Sequence, residues 1–488
     1  MSRFAAERRH GAFALALALL PGVNILTLHA VMSDAVTMGR ADVLPTYAGG
    51  ILAAAFGVAF FAPLWGRLRL GTEGEFLLWR YRGAWAARLH AVRSALLGLV
   101  VLPLAMGMML VPMRAVLVHL GGCSPAAANG LLAVLLLAGA LANSFRQRMR
   151  MDRALGGLVL VLMLPLALLI VLRVAGPDAV PLSTTLPSLV GRPGVADLLL
   201  PLAVLWWFAS IIDLPNMTGQ KLLASRDPHA GVRGAVIGHA AMFLITGLFA
   251  TLPLALGYHA GHGAYFAFLA DVLGDGPWRW TLLLFYLASG AFLLLNTQHW
   301  AGALLHANLA AHHIPRLRSR RMAVPAMVLV AVIALTMHRV RGHAFDVIWD
   351  LLAITAGVGP VFILRWYLPR ITAQVQLTAM VAAMVHAGLW HLAMGRPALV
   401  AALEGVAAAA GMSMAHLQVL AIGTATVLTA AVPYVLAGDA DVAHGRQRLA
   451  ELHGDRRDLP RRLLFALLLS ALFAALTALP MVVAWAVR

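Results

Sequence analysis

The residues best suited to hold something polar lie inside apolar runs, where lipid alone would not tolerate them. Asn296-Thr297-Gln298-His299-Trp300 is the densest such group. Four hydrogen-bonding side chains in little more than one helical turn point to different sides, so at least one faces protein interior or water. His299 either handles a proton near neutral pH or sits neutral against a neighbouring helix. A second group, Leu20-Pro21-Gly22-Val23-Asn24, interrupts the first apolar run. Proline removes a backbone donor and glycine loosens the chain, so a break here frees carbonyl and amide groups for a solute. The alternative is a simple kink satisfied by neighbours. A third run is short and ends Trp206-Trp207-Phe208-Ala209-Ser210-Ile211-Ile212-Asp213-Leu214-Pro215. Its tryptophans either line a site or anchor the helix at the interface. Gly22, Asn24, Trp206, Ser210, Asp213, Asn296 and His299 are thus the expected substrate-binding residues.

Other in-run polar residues are His239, Asp346, Asp350, His386 and His391. The last two are five apart, about 140° around a helix, and make no clean ligand pair, so no metal site is expected. No nucleophile–base–acid set, phosphate-cradling loop or supported carboxylate pair occurs. The expectation is no catalytic residue, no cofactor and no enzyme. Cys123 is the one cysteine, which excludes an internal disulfide framework and a thiol-ligated metal. Thr355 to Pro360, with Gly357 and Gly359, reads as a close-packing, kinked surface.

The elements that position these groups follow from composition. Of 488 residues, 61% are hydrophobic and 12% charged; a soluble domain carries about 25% charged residues. Lipid is the solvent for most of such a chain. The formal charge of +17 does not signal nucleic acid, because the arginines form short clusters between apolar runs, as topology signals do. About thirteen spans are read, over 11–33, 43–66, 93–119, 125–144, 154–176, 198–215, 233–258, 281–308, 322–338, 344–367, 376–395, 415–437 and 461–487. The runs are too long and uniformly apolar for a membrane barrel. With the amino terminus in the cytoplasm, alternation puts about 28 of the 37 Lys and Arg residues inside and the carboxyl terminus outside. A bacterial-type inner membrane is expected. Arg8-Arg9-His10 and the run after it read as a retained first span rather than a cleaved signal. The 259–280 stretch is a partly helical cap or a connector, and 438–462 a cytoplasmic loop with a short amphipathic helix. The interrupted first and short sixth spans are five apart, as two inverted five-helix repeats around a central site require.

Three stretches resemble the sodium/solute symporter family. Leu70-Gly-Thr-Glu-Gly-Glu75-Phe76-Leu-Leu-Trp-Arg80-Tyr81-Arg-Gly83 is similar to that family's loop between core helices two and three. Asp213 through Gly219-Gln220-Lys221 to Asp227 resembles the stretch after its core helix six, and Ala356-Gly357 to Arg365-Trp366-Tyr367 its core helix ten. The resemblance covers about residues 11–370. It implies a LeuT-type core of two inverted repeats, 11–176 and 198–370, followed by additional membrane helices in 371–488. It also implies a substrate between the broken helices, and a sodium ion held by carbonyls of the first core helix and a hydroxyl pair on the eighth. With Trp300 as the register mark, Phe292 and Leu293 occupy the positions of that pair. Neither offers an oxygen, so the sodium site is expected to be degenerate. Ser289 and Thr297 are the nearest hydroxyls.

The function expected is a secondary transporter of a small polar or anionic solute or ion, coupled to protons or uncoupled rather than sodium-coupled. The alternative is a transport-incompetent symporter relative, acting as a membrane sensor or as a subunit with a membrane-protein partner.

Overall fold

In lipid every backbone donor and acceptor of a long apolar run must be satisfied within the run. The computed structural model meets that demand with helices. It describes residues 8–20, 43–141, 144–174, 218–256, 265–314, 319, 322–340, 351, 353–354, 357–453 and 459–486. Their helices are α1 (Ala12–Leu19), α2 (43–67), α3 (Glu75–Arg80), α4 (Gly83–His119), α5 (Pro125–Leu141), α6 (Phe145–Val174), α7 (Thr218–Leu223), α8 (Pro228–Ala255), α9 (Tyr265–Leu273), α10 (Pro277–His313), α11 (Ala323–Val340), α12 (Gly359–Leu364), α13 (Ala373–Met394), α14 (Pro397–Ala409), α15 (Met414–Val435), α16 (Asp439–His453) and α17 (Leu459–Ala486).

Among the described residues, eight helices are long and apolar enough to cross a membrane: α2, α4, α6, α8, α10, α13, α15 and α17. The protein is an all-α, multi-pass membrane protein. The expectation was about thirteen spans over the whole chain, and these eight are the ones that the described residues give. The expected spans 125–144 and 322–338 appear as the shorter apolar helices α5 and α11. The span 198–215, most of 11–33 and the start of 344–367 lie outside the described residues.

The centre of the bundle is α10. Every residue from Phe292 to Ala303 is buried, so this helix meets protein on all faces for about three turns. It packs against α4, α5, α6 and α11. The outer helices keep one greasy face exposed, as with Val381, Val385, Leu389 and Leu392 of α13 and Leu464, Leu467 and Leu468 of α17. α17 runs along α8, where Phe473 stacks on Phe243 at 4.9 Å and Gly247 lies against the Thr477 backbone. A π-type turn widens α2 at Gly57–Phe61, α4 at Leu97–Val101 and α10 at Leu304–Ala310. The last two meet where Gly98 lies against the Leu305 side chain.

Helix starts differ most from the sequence expectation. α6 begins at Phe145 rather than 154, and α4 at Gly83 rather than 93. The arginine clusters 146–153 and 88–93 were expected in loops, yet they are helical. Arginine is a good helix former, and a spanning helix can extend past the hydrocarbon. α14 was not expected at all. Its 13 residues reach about 20 Å, short of the roughly 30 Å hydrocarbon core. α9 gives the 259–280 stretch a helical part, with Phe266 against Tyr286 of α10 at 5.3 Å. α16 is the helix expected in 438–462 and buries Leu449 and Leu452.

Candidate functional site: a buried charge cluster

Helical periodicity sorts the charges at the start of α6. Arg148 and Asp152, one turn apart, face the interior; Asp152 is 0% exposed and Arg148 2%. Arg148 Nε donates to Asp152 Oδ1 at 2.6 Å, and a terminal guanidinium nitrogen completes the ion pair. From α7, Lys221 Nζ lies 3.1 Å from Asp152 Oδ2 and donates to the Ala18 carbonyl of α1 at 2.7 Å. From α10, Asn296 Nδ2 donates to Asp152 Oδ1 at 2.9 Å and to its own helix at Phe292 O at 3.0 Å. The Phe292 ring faces both cations, with Lys221 Nζ at 4.7 Å and the Arg148 guanidinium at 5.9 Å from its centroid. His299, also 0% exposed, feels the charges of Arg148, Asp152 and Lys221.

Two cations thus share one carboxylate, and all three side chains are buried. Removing such charges from water costs several kcal/mol per ion, so the cluster persists only because its partners are placed well. Burial pulls the Lys221 pKa below the usual lysine range, and Asp152 opposes that shift. A carbonyl oxygen, a carboxylate and an aromatic face around Nζ all favour the ammonium form. The excess positive charge suits a nearby anion. The Asn296 Oδ1 acceptor has no hydrogen-bond partner among the described residues.

A second polar junction locks the adjacent end of the bundle, and the three sequence motifs meet there. Trp300 Nε1 donates to Glu73 Oε1 at 2.6 Å, and Arg93 lies 3.6 Å from the same oxygen. Gln220 accepts from the Glu73 amide at 2.9 Å and donates to Gly71 O at 2.9 Å, joining the first motif to the second. Thr72 Oγ1 donates to Asn308 Oδ1 at 3.2 Å. The third motif closes on the first: Arg80 donates to the Arg365 and Leu368 carbonyls, and Trp366 stacks on Phe76 at 4.3 Å.

Two solved structures share this architecture. One is a Na+-coupled sialic acid symporter in a substrate-bound outward-open state. It has a TM-score of 0.60 at 13% identity, covering 87% of this chain and 90% of that one. The other is Mhp1, a nucleobase-cation-symport-1 family transporter in a closed conformation with bromovinylhydantoin bound. It has a TM-score of 0.55 at 15% identity, covering 90% of this chain and 97% of that one. The chain has a LeuT-type fold. No family model and no curated protein matches the chain.

Within this LeuT-type bundle the expected site residues divide. Asn296 and His299 join the charge cluster on α10. Gly22, Asn24, Trp206, Ser210 and Asp213 lie outside the described residues, as do Asp346 and Asp350. Phe292 is in the cluster as the aromatic wall, while Leu293 is packed in the core. Thr297 Oγ1 and Ser289 Oγ are committed to their own helix, at Leu293 O and Tyr286 O. His239 Nδ1 donates to Ala235 O at 2.7 Å, and His386 meets Thr426 Oγ1 at 3.3 Å. Sequence reasoning gave no role to Arg148, Asp152 or Lys221. The available signal was Asp152 itself, the one acidic residue in Phe145–Val174, one turn from an arginine.

Proposed function

We propose that the protein is a secondary transporter of a small polar or anionic solute, in which the Lys221 ammonium stands where a sodium ion would otherwise sit. One observation carries this reading. Ala18 and Lys221 flank the two sequence breaks, at 21–24 and 206–215, and they are hydrogen-bonded to each other. The described residue on one side of each break thus meets its counterpart beside a buried cluster that lipid could not tolerate. By the resemblance to sodium/solute symporters, a cation would lie between first-helix carbonyls and an eighth-helix hydroxyl pair. Here a first-helix carbonyl receives Lys221, and Phe292 presents a ring rather than an oxygen. A fixed ammonium needs no sodium, and the two cations against one carboxylate favour an anionic solute. We assign the repeats to 11–176 and 198–370, with the helices of 371–488 added outside them. We also assign the protein to an inner membrane with its amino terminus inside, on the distribution of its basic residues.

The test is flux into proteoliposomes across a panel of organic anions, amino acids and sugars, under imposed proton and sodium gradients. The expected result is uptake of an anion that sodium does not stimulate. Lys221→Ala, Asn24→Ala, Asp213→Asn and His299→Ala reduce it while insertion is intact. Wild-type flux in these variants removes the site assignment. Absence of flux under every gradient, with folded protein, overturns transport and favours a sensor or a subunit of a membrane complex.

A further inference from the structure

The opposite face of the same helix builds a second site. Arg146, Arg150 and Arg153 of α6 lie at i, i+4 and i+7, so they share one stripe, turned away from Arg148 and Asp152. With Arg9, His10 and Phe145 they line an open recess of about 250 Å3, and no carboxylate is among its lining residues. Its far wall is held in place by the backbone. The Arg9 and His10 amides donate to Ala224 O, each at 3.2 Å, and the Arg226 amide donates to His10 O at 2.9 Å. Arg153 Nε donates to Met149 O at 3.2 Å, which holds its guanidinium stem along the helix.

The stripe continues beyond the recess as hydrocarbon. Val161, Leu164, Leu168 and Val171 follow at helical spacing on the same side and are exposed. The helix thus changes, along one face, from forked cationic donors to an unpartnered aliphatic track. Phosphate accepts bidentate hydrogen bonds from guanidinium groups, and basic recesses at the ends of membrane helices hold lipid headgroups. We propose that the recess is a binding site for an anionic phospholipid. The phosphodiester would be taken by Arg9, Arg146, Arg150 and Arg153, with an acyl chain along Val161, Leu164 and Leu168. Arginines placed only to orient the chain in the membrane would need neither the recess nor the aligned track.

Full-length protein in detergent is titrated with phosphatidylglycerol or phosphatidylcholine and read by native mass spectrometry. Inorganic phosphate is a separate competitor. The expected result is preferential retention of phosphatidylglycerol, weakened about thirtyfold by Arg146→Gln with Arg150→Gln. The pair Arg69→Gln with Arg370→Gln removes the same charge from exposed positions outside the recess and leaves retention unchanged. The single Arg150→Gln variant carries the test if the double variant does not purify folded. Equal retention of the two lipids overturns the proposal. So does equal loss in both double variants, which would reduce the effect to general surface charge. Saturable phosphate binding at the recess without lipid retention overturns it as well.

Discussion

At the scale of single residues, Asp152 is the group on which the buried cluster depends. Its carboxylate meets Arg148, Lys221 and Asn296 together, and it is fully buried. Removing one member of a buried ion cluster costs more than the pair contributed, because the remaining charges lose their partner. Asp152→Asn leaves two cations facing each other over Phe292. The expected loss is about 3 kcal/mol of stability, read as a lowered thermal unfolding midpoint in detergent. Arg148→Gln added to Asp152→Asn removes one of the stranded cations, so the double variant is less destabilised than the two single losses predict. A wild-type midpoint for Asp152→Asn would mean the carboxylate is not holding the cluster. In the sequence, the polar turn Asn296 to Trp300 stood out because polar groups inside an apolar run need partners, and all five residues are buried. Asp152 was hidden by its arginine neighbours, which read as a loop. Phe292 and Leu293 are both buried, and that neither carries a side-chain oxygen was legible. The approach of Lys221 to the Phe292 ring was not, since the lysine comes from a different element.

At the scale of elements, α1 can bring Ala18 to Lys221 only because glycines let it approach. Gly234 and Gly238 of α8, a small-residue pair one turn apart, lie against α1. A Cβ on Gly234 would sit 2.8 Å from Ala12 O, and one on Gly238 2.9 Å from Ala16 O. Gly156 of α6 abuts the Leu17 carbonyl from the other side. Gly238→Val therefore forces α1 outward, with an expected cost of about 1–3 kcal/mol. In the proteoliposome assay it also lowers flux, because the Ala18–Lys221 contact opens. Gly157→Val is the control: nothing lies within 4 Å of a Cβ there, and its stability and flux match wild type. Equal effects at 157 and 238 would mean that helix propensity, not close packing, explains the loss. Most helices were legible as apolar runs, and the three motifs were legible as parts of one region. Their ends were not, because periodicity does not tell where a helix leaves the hydrocarbon and continues in water. α14 escaped notice for a related reason: a short apolar helix with exposed sides has no pattern that separates it from a connector.

At the scale of the whole molecule, α5 is the element on which the topology turns. Its 17 residues extend about 26 Å, just under the thickness of the hydrocarbon core. If it crosses, the alternation of basic clusters puts the turn after α4 outside and the start of α6 inside. The one cysteine, Cys123, lies half-buried in that turn, where Gly122 at φ +65° reverses the chain. A membrane-impermeant maleimide is thus expected to label Cys123 on intact cells. With Cys123→Ser as background, Ser144→Cys at the start of α6 is expected to react only after permeabilisation. The reverse pattern would invert the molecule and place the arginine recess outside. Labelling of both positions from one side would mean that α5 does not cross. The inward side of every later element would then change, the recess included. The charge asymmetry makes that last outcome costly, because it would expose the cluster of Arg146, Arg150 and Arg153 on the side where basic residues are disfavoured. A short helix can still cross if the bilayer thins beside it, at fractions of a kcal/mol per Å. That is a smaller cost than misplacing three arginines, so the crossing is the expected result.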